Sequence, residues 1–199
     1  MKNKFIKNLK FKSGFTLVET LVAIAILSAA IAGPLVLSIK NIGTANTSQD
    51  QLVAFYLGQE VIEYVRNVRD TNLIEKSLDG GVVFNWLKGL EDCIKNDCYI
   101  DVAKESDDER VKACLGACPA LTLDKSTGVS GVYSYDPSGD KTPFTRTVKI
   151  TKIDPTDDGS ENYDEAKVEV EMTWKSKYGY GKDKLKTMKL QDHIFNWRE

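Results

Sequence analysis

Carboxylates, thiols and a single imidazole are the side chains of this sequence with chemistry to offer. His193 is the one histidine among 199 residues. A nucleophile–base–acid triad or a histidine-rich metal site is therefore not expected. No G-x-x-x-x-G-K-[ST] phosphate loop occurs either. Four cysteines stand at Cys93, Cys98, Cys114 and Cys118, spaced C-x4-C, fifteen residues, C-x3-C. Disulfides are the expected use of these thiols, in any of three connectivities. Adjacent pairing would pin two small loops, and crossed or nested pairing would hold the whole segment. A zinc site built from all four thiolates is the rival, but zinc knuckles usually show C-x2-C and neither pair does. Asp154, Asp157, Asp158, Glu161 and Asp164 crowd one stretch. Clustered carboxylates suit calcium, yet the EF-hand spacing is absent and a solvated acidic turn is the preferred reading. No metal and no cofactor is expected. The carboxylate with the least ordinary surroundings is Glu19, at the head of a long uncharged run.

The element that carries Glu19 dominates the N-terminus. Residues 1–14 hold five lysines and no acid, and residues 20–39 hold no charge. Without those lysines, 22 basic residues would face 29 acidic ones, a net charge of −7 in place of −2. Neither balance gives an electrostatic footprint for nucleic acid. Residues 15–39 would form about 37 Å of helix, enough to span a bilayer core of about 30 Å. Clustered lysines ahead of such a span predict a cytoplasmic N-terminus and a translocated remainder. A secretory signal peptide has a shorter apolar core, about 7–15 residues. A plain signal anchor explains length and orientation, but not a carboxylate that costs about 2.5 kcal/mol or more when deep and unpaired.

The run Lys12-Ser13-Gly14-Phe15-Thr16-Leu17-Val18-Glu19 resembles the class III leader of type IV prepilins and type II secretion pseudopilins. The likeness covers about 25 residues and continues through Thr20-Leu21-Val22-Ala23-Ile24. It implies cleavage between Gly14 and Phe15 by a prepilin peptidase, then methylation of the new Phe15 amine. It also implies that Glu19 is the assembly glutamate, paired with the N-terminal amine of a neighbouring subunit. The physical logic stands beside the resemblance: opposite charges in a low-dielectric bundle are tolerable together and costly apart, so such a pair fixes axial register. Gly33-Pro34 lies inside the apolar helix. It is read equally as the family's stretchable zone and as an ordinary membrane-helix kink.

Beyond the span, Leu52, Phe55, Ile62, Val65 and Val68 recur at three- and four-residue steps, with Gln59 interrupting. They predict an amphipathic helix, closed by Asp79-Gly80-Gly81. A helix from 15 to about 75 would measure roughly 90 Å. Its first half must then pack on lipid or on other subunits. The stretch from Ala54 to Asp70, with Leu57-Gly58-Gln59-Glu60, resembles a block in minor pilin-like proteins of the PilV-like type. Glu63, Arg66, Arg69 and Asp70 are read as helix-surface pairs. Residues 76–143 read as irregular, with Trp86 and Leu87 as a short apolar patch. Phe144–Ile153, Ala166–Trp174 and, more weakly, Leu185–Leu190 alternate with period two and predict three antiparallel strands. Tyr133, Tyr135, Tyr163, Tyr178 and Tyr180 are read as partly core, and His193 as packing or surface.

The expected fold is α+β: a long N-terminal helix on a C-terminal antiparallel sheet of three or more strands, an arrangement similar to pilins. The expected organisation is a basic leader at 1–14, a membrane and assembly helix at 15–39, an amphipathic helix at 40–75 and an exported head at 76–199. The expected function is structural and not enzymatic: a minor pilin or pseudopilin subunit of a type IV pilus-like filament. Its partners would be a prepilin peptidase, other such subunits and the inner membrane, with its head in the periplasm or on an extracellular filament. A pseudopilin of a type II secretion or DNA-uptake machine is one alternative. A signal-anchored exported binding module is the alternative of another class.

Overall fold

The computed structural model describes residues 14–79, 85–124, 131–153, 163–176 and 184–197. The chain divides into two units, one up to Gly43 and one from Thr44 to Glu199. Helix α1 (Leu17–Asp79) runs from one into the other. In the first unit every described side chain from Gly14 to Ile42 is exposed. Leu17, Val18, Leu21, Ile24, Ile26, Leu27 and Ile31 are among them. An apolar surface of this extent is not left to water. The segment is long and apolar enough to cross a membrane.

Proline interrupts this helix without ending it. Pro34 has no N–H to donate, so the carbonyl four residues back, on Ala30, loses its helical donor. The Ser38 hydroxyl donates to the Pro34 carbonyl at 2.9 Å. Hydroxyl back-bonding of this kind is common where an apolar helix runs past a proline.

In the second unit, the remainder of α1 lies on an antiparallel sheet. Among the described residues the sheet has seven strands: β1 (Cys98–Ile100), β2 (Val111–Ala113), β3 (Ala120–Asp124), β4 (Val132–Ser134), β5 (Asp140–Ile153), β6 (Glu165–Lys175) and β7 (Leu185–Phe195). Two short helices, α2 (Glu91–Lys95) and α3 (Asp107–Arg110), complete the elements among the described residues. Strand β5 is the hub. It pairs with β6 over ten residues, from Phe144↔Trp174 to Ile153↔Glu165. Strand β6 pairs in turn with β7, from Glu165↔Phe195 to Lys175↔Leu185. These three form the meander that their alternation predicts. On its other side β5 meets β1 and β3. The β3–β5 register shifts between Ala120 and Thr122. Pro143 lies in β5 opposite this break, where a residue without an N–H cannot hold a regular ladder.

The strand alternation sorts side chains cleanly. Ala166, Val168, Val170, Met172 and Trp174 of β6 are buried, together with Phe144, Val148 and Ile150 of β5. They meet Ala54, Leu57, Val61, Tyr64 and Val65 of α1. This corrects the phase of the helical stripe. Ile62 and Val65 are buried and Val68 is half-buried, but Leu52 is 57% and Phe55 38% exposed. The sheet covers the flank marked by Ala54, Leu57, Val61 and Val65, a spacing of three and four that follows one helical face. Small residues allow the approach: a Cβ on Gly58 would lie 2.8 Å from Cδ1 of Leu190.

Residues 76–143 are more regular than they read. They carry α2, α3, β1 to β4 and the start of β5. Trp86 and Leu87 are buried as expected, and the Trp86 indole donates to the Tyr163 carbonyl at 3.1 Å. The glycines of Asp79-Gly80-Gly81 lie outside the described residues, as do Tyr178 and Tyr180.

Candidate functional site

Gly14 and Phe15 precede the helix. A Cβ on Gly14 would meet nothing within 4 Å, and Phe15 is 78% exposed. Among the described residues, no atom outside its own neighbours crowds the Gly14 position, and Phe15 faces outward. The helix begins immediately after. Thr16 caps it: the Glu19 backbone N–H donates to the Thr16 hydroxyl oxygen at 3.2 Å, and the Thr20 N–H donates to the Thr16 carbonyl. Thr-x-x-Glu at a helix start is the capping-box pattern. Glu19 therefore sits in the first turn, where the unsatisfied N–H groups of the helix favour a carboxylate. The signal for this cap was in the sequence, a threonine three residues ahead of a glutamate before an apolar run. The motif reading passed over it. Residues 9–33 match the family model described as the prokaryotic N-terminal methylation motif. The match covers this N-terminal segment alone and indicates a type IV pilin-type prepilin signal, the kind that prepilin peptidase processes. It implies a structural subunit that assembles with other pilin-like subunits. No similar curated protein and no similar solved structure was found. Residues 1–13, with the lysines of the leader, lie outside the described residues.

Among the described residues, the head shows no comparable concentration of chemistry. The four cysteines form two disulfides, Cys93–Cys98 and Cys114–Cys118, each with Cα atoms 4.9 Å apart. This is the adjacent pairing among the three connectivities. Cys93 in α2 and Cys98 in β1 are fully buried. Among the described residues, no three histidine, cysteine or acidic side chains gather as a metal site. Of the acidic stretch, Asp164 is described and its carboxylate accepts from the Asn196 side chain at 3.2 Å. Asp154, Asp157, Asp158 and Glu161 lie outside the described residues. His193 is a surface residue of β7, and its ring bonds the carboxylate of Glu165 on the neighbouring strand.

The helix-surface pairs form, and one of them reaches further than its spacing suggests. Arg66 bonds Glu63 at 2.7 Å and also Asp192 of β7 at 2.9 Å. The bond to Asp192 raises the Arg66 pKa above its ordinary value. Arg69 pairs with Asp70 at 2.8 Å.

Arg146 is the head residue that sequence reasoning missed. It lies on β5 with 1% of its side chain exposed. Its Nη1 donates to the Leu57 carbonyl and to the Glu60 carboxylate, both at 2.7 Å. Its Nη2 donates to the Ile100 carbonyl at 2.6 Å. One guanidinium thus joins α1, β1 and β5. Its carbon also stands 5.9 Å from the centre of the Tyr135 ring, within reach of a cation–π attraction. Burial pushes the Tyr135 phenol above its ordinary pKa, and the positive charge of Arg146 pulls it part of the way back. The signal was positional: Arg146 shares the phase of Phe144, Val148 and Ile150, the buried face of an alternating strand.

Proposed function

We propose that this chain is a minor pilin or pseudopilin, a building subunit of a type IV pilus-like filament. The observation that carries the reading is the matched motif seated on a capped, wholly exposed apolar helix. The peptidase cuts between Gly14 and Phe15, and the new Phe15 amine is methylated. Glu19, four residues on, pairs with that amine on a neighbouring subunit and sets the register between helices. The lysines of residues 1–14 hold the N-terminus in the cytoplasm. The helix of residues 15–39 anchors in the inner membrane and then in the filament. Residues 40–75 carry the helix into the exported head at 76–199. The stretch from Ala54 to Asp70, which resembles a block of PilV-like proteins, supports a minor pilin, and the cysteine-bearing segment favours a specialised subunit over a bulk one.

The test is intact mass and N-terminal sequencing of membrane-extracted protein from cells with and without a prepilin peptidase. A chain that begins at N-methylated Phe15 only where the peptidase is present supports the proposal. A chain that begins at Met1 in both strains overturns it, and a signal-anchored exported module becomes the better account.

A further inference from the structure

The two disulfides stand in unlike surroundings. Cys93 and Cys98 are fully buried among the core residues of the head. Cys114 and Cys118 are only half-buried, and they close the connection between β2 and β3. The residues they enclose face solvent, with Leu115 fully exposed at the tip. Gly116 turns the loop at φ +94°, a left-handed conformation that a side chain resists. Pro119 and Ala120 beyond the loop are exposed as well.

The strands on either side do not depend on this bond. Strand β2 is paired with β1 through Cys98↔Ala113, Tyr99↔Lys112 and Ile100↔Val111. The Cys114 N–H donates to the Asp97 carbonyl at 2.8 Å. Strand β3 is paired with β4 and β5. Each flank is therefore anchored by its own ladder. Opening the bond releases a short exposed loop and no core element. The Cys93–Cys98 bond closes a loop of similar length. Loop entropy therefore does not distinguish the two bonds, but access does.

We propose that Cys114–Cys118 is a thiol-exchange site, open to small dithiols and to dithiol oxidoreductases in the exported compartment, while Cys93–Cys98 is inert. An external thiolate attacks one of the two sulfurs. The Cys114–Cys118 bond breaks, a mixed disulfide forms and the other cysteine leaves as a thiolate that takes a proton. The second thiol of the reagent then displaces the protein sulfur. The dithiol ends oxidised to its disulfide, and Cys114 and Cys118 end as two thiols. The more accessible of two disulfides is the more readily exchanged, because exchange requires the incoming thiolate to reach a sulfur in line with the bond.

The test uses the full chain in mild detergent, titrated with dithiothreitol, quenched with an alkylating reagent and mapped by peptide mass. Cys114 and Cys118 are expected to be labelled at a reductant concentration roughly tenfold or more below that which labels Cys93 and Cys98. The fluorescence of buried Trp86 should stay unchanged through the first step. Simultaneous labelling of both pairs overturns the proposal, as does labelling of Cys93 and Cys98 first. The Cys114→Ser/Cys118→Ser double variant provides the second measurement. It is expected to keep the parental circular dichroism and an intact Cys93–Cys98 bond at the same reductant concentration. Loss of folding in that variant would show a structural bond and sink the proposal.

Discussion

Replacing Arg146 by alanine tests the account of the head most directly. The guanidinium makes three bonds of 2.6–2.7 Å to two buried carbonyls and one carboxylate. Each hydrogen bond to a charged group is worth about 1.5–3 kcal/mol, so the gross loss is larger than any single surface change. Two features reduce it. Glu60 is 40% exposed, so its carboxylate regains water once the partner is gone. The Leu57 carbonyl lies inside α1 and keeps its helical donor. What remains is the space left by a large buried side chain and an Ile100 carbonyl without its donor, so the net cost should be about 3–5 kcal/mol, as for other large buried side chains cut to alanine. For a domain of this size that corresponds to a thermal midpoint lower by about 6–20 °C. The assay is thermal unfolding of the full chain in detergent, followed by fluorescence of the buried Trp86 and Trp174. A fall of less than about 2 °C would refute the reasoning, because it would mean that the guanidinium is not a junction of three elements. Arg146→Lys separates charge from geometry. One ammonium cannot span the carbonyls of Leu57 and Ile100 as a planar fork does, so most of the loss should remain.

On the proposed pairing of Glu19 with a neighbour's N-terminal amine, Glu19→Ala should leave cleavage and methylation at Phe15 intact but reduce recovery in sheared filaments by about tenfold or more, because that amine would lose its partner; parental incorporation, measured by quantitative mass spectrometry, would rule out the pairing. Gly58→Leu should cost about 1–3 kcal/mol by driving a branched side chain against Leu190, which already lies 2.8 Å from the site of a Cβ. Denaturant unfolding measures it, and an unchanged midpoint would show that the helix and β7 have room to part. Tyr135→Phe probes the alkaline limit. Burial holds the Tyr135 proton in the folded state to a higher pH than in the unfolded chain. The stability this supplies is complete below the unfolded value of about 10 and is lost as pH rises through the folded value. The phenylalanine variant should therefore lose less stability between about pH 9 and 11, and parallel curves for the two proteins would contradict that origin.

How far the sequence discloses this molecule depends on the physical scale of each feature. Strands β5, β6 and β7 run for 14, 11 and 11 residues, long enough for period-two alternation to declare itself. Strands β1, β2 and β4 have three residues each, too few for any period, and they exist because β1 docks on β5 and draws β2 alongside. The amphipathic helix is legible as a helix, but its buried flank is not. Leu52 and Phe55 compete with Ala54 and Leu57 for the core, and hydrophobicity alone favours the larger pair. The sheet settles the choice by needing close approach at Gly58. Arg146 was hidden by its charge while its position in the alternation was correct. At the N-terminus the motif was plain in the residues, and the physical role of Thr16 within it, as the cap of the helix, became visible in the backbone hydrogen bonds.

The ties between α1 and the sheet have a mechanical consequence. Asp50 accepts from Ser176 at 2.9 Å, Glu60 and Leu57 hold Arg146, and Arg66 holds Asp192. These attachments are staggered along the helix, and each one crosses to the sheet sideways. A pull along the helix axis loads them together, in shear. A pull that peels the helix away loads them one after another. A head fastened in this way resists tension along its own helix better than it resists being lifted from it.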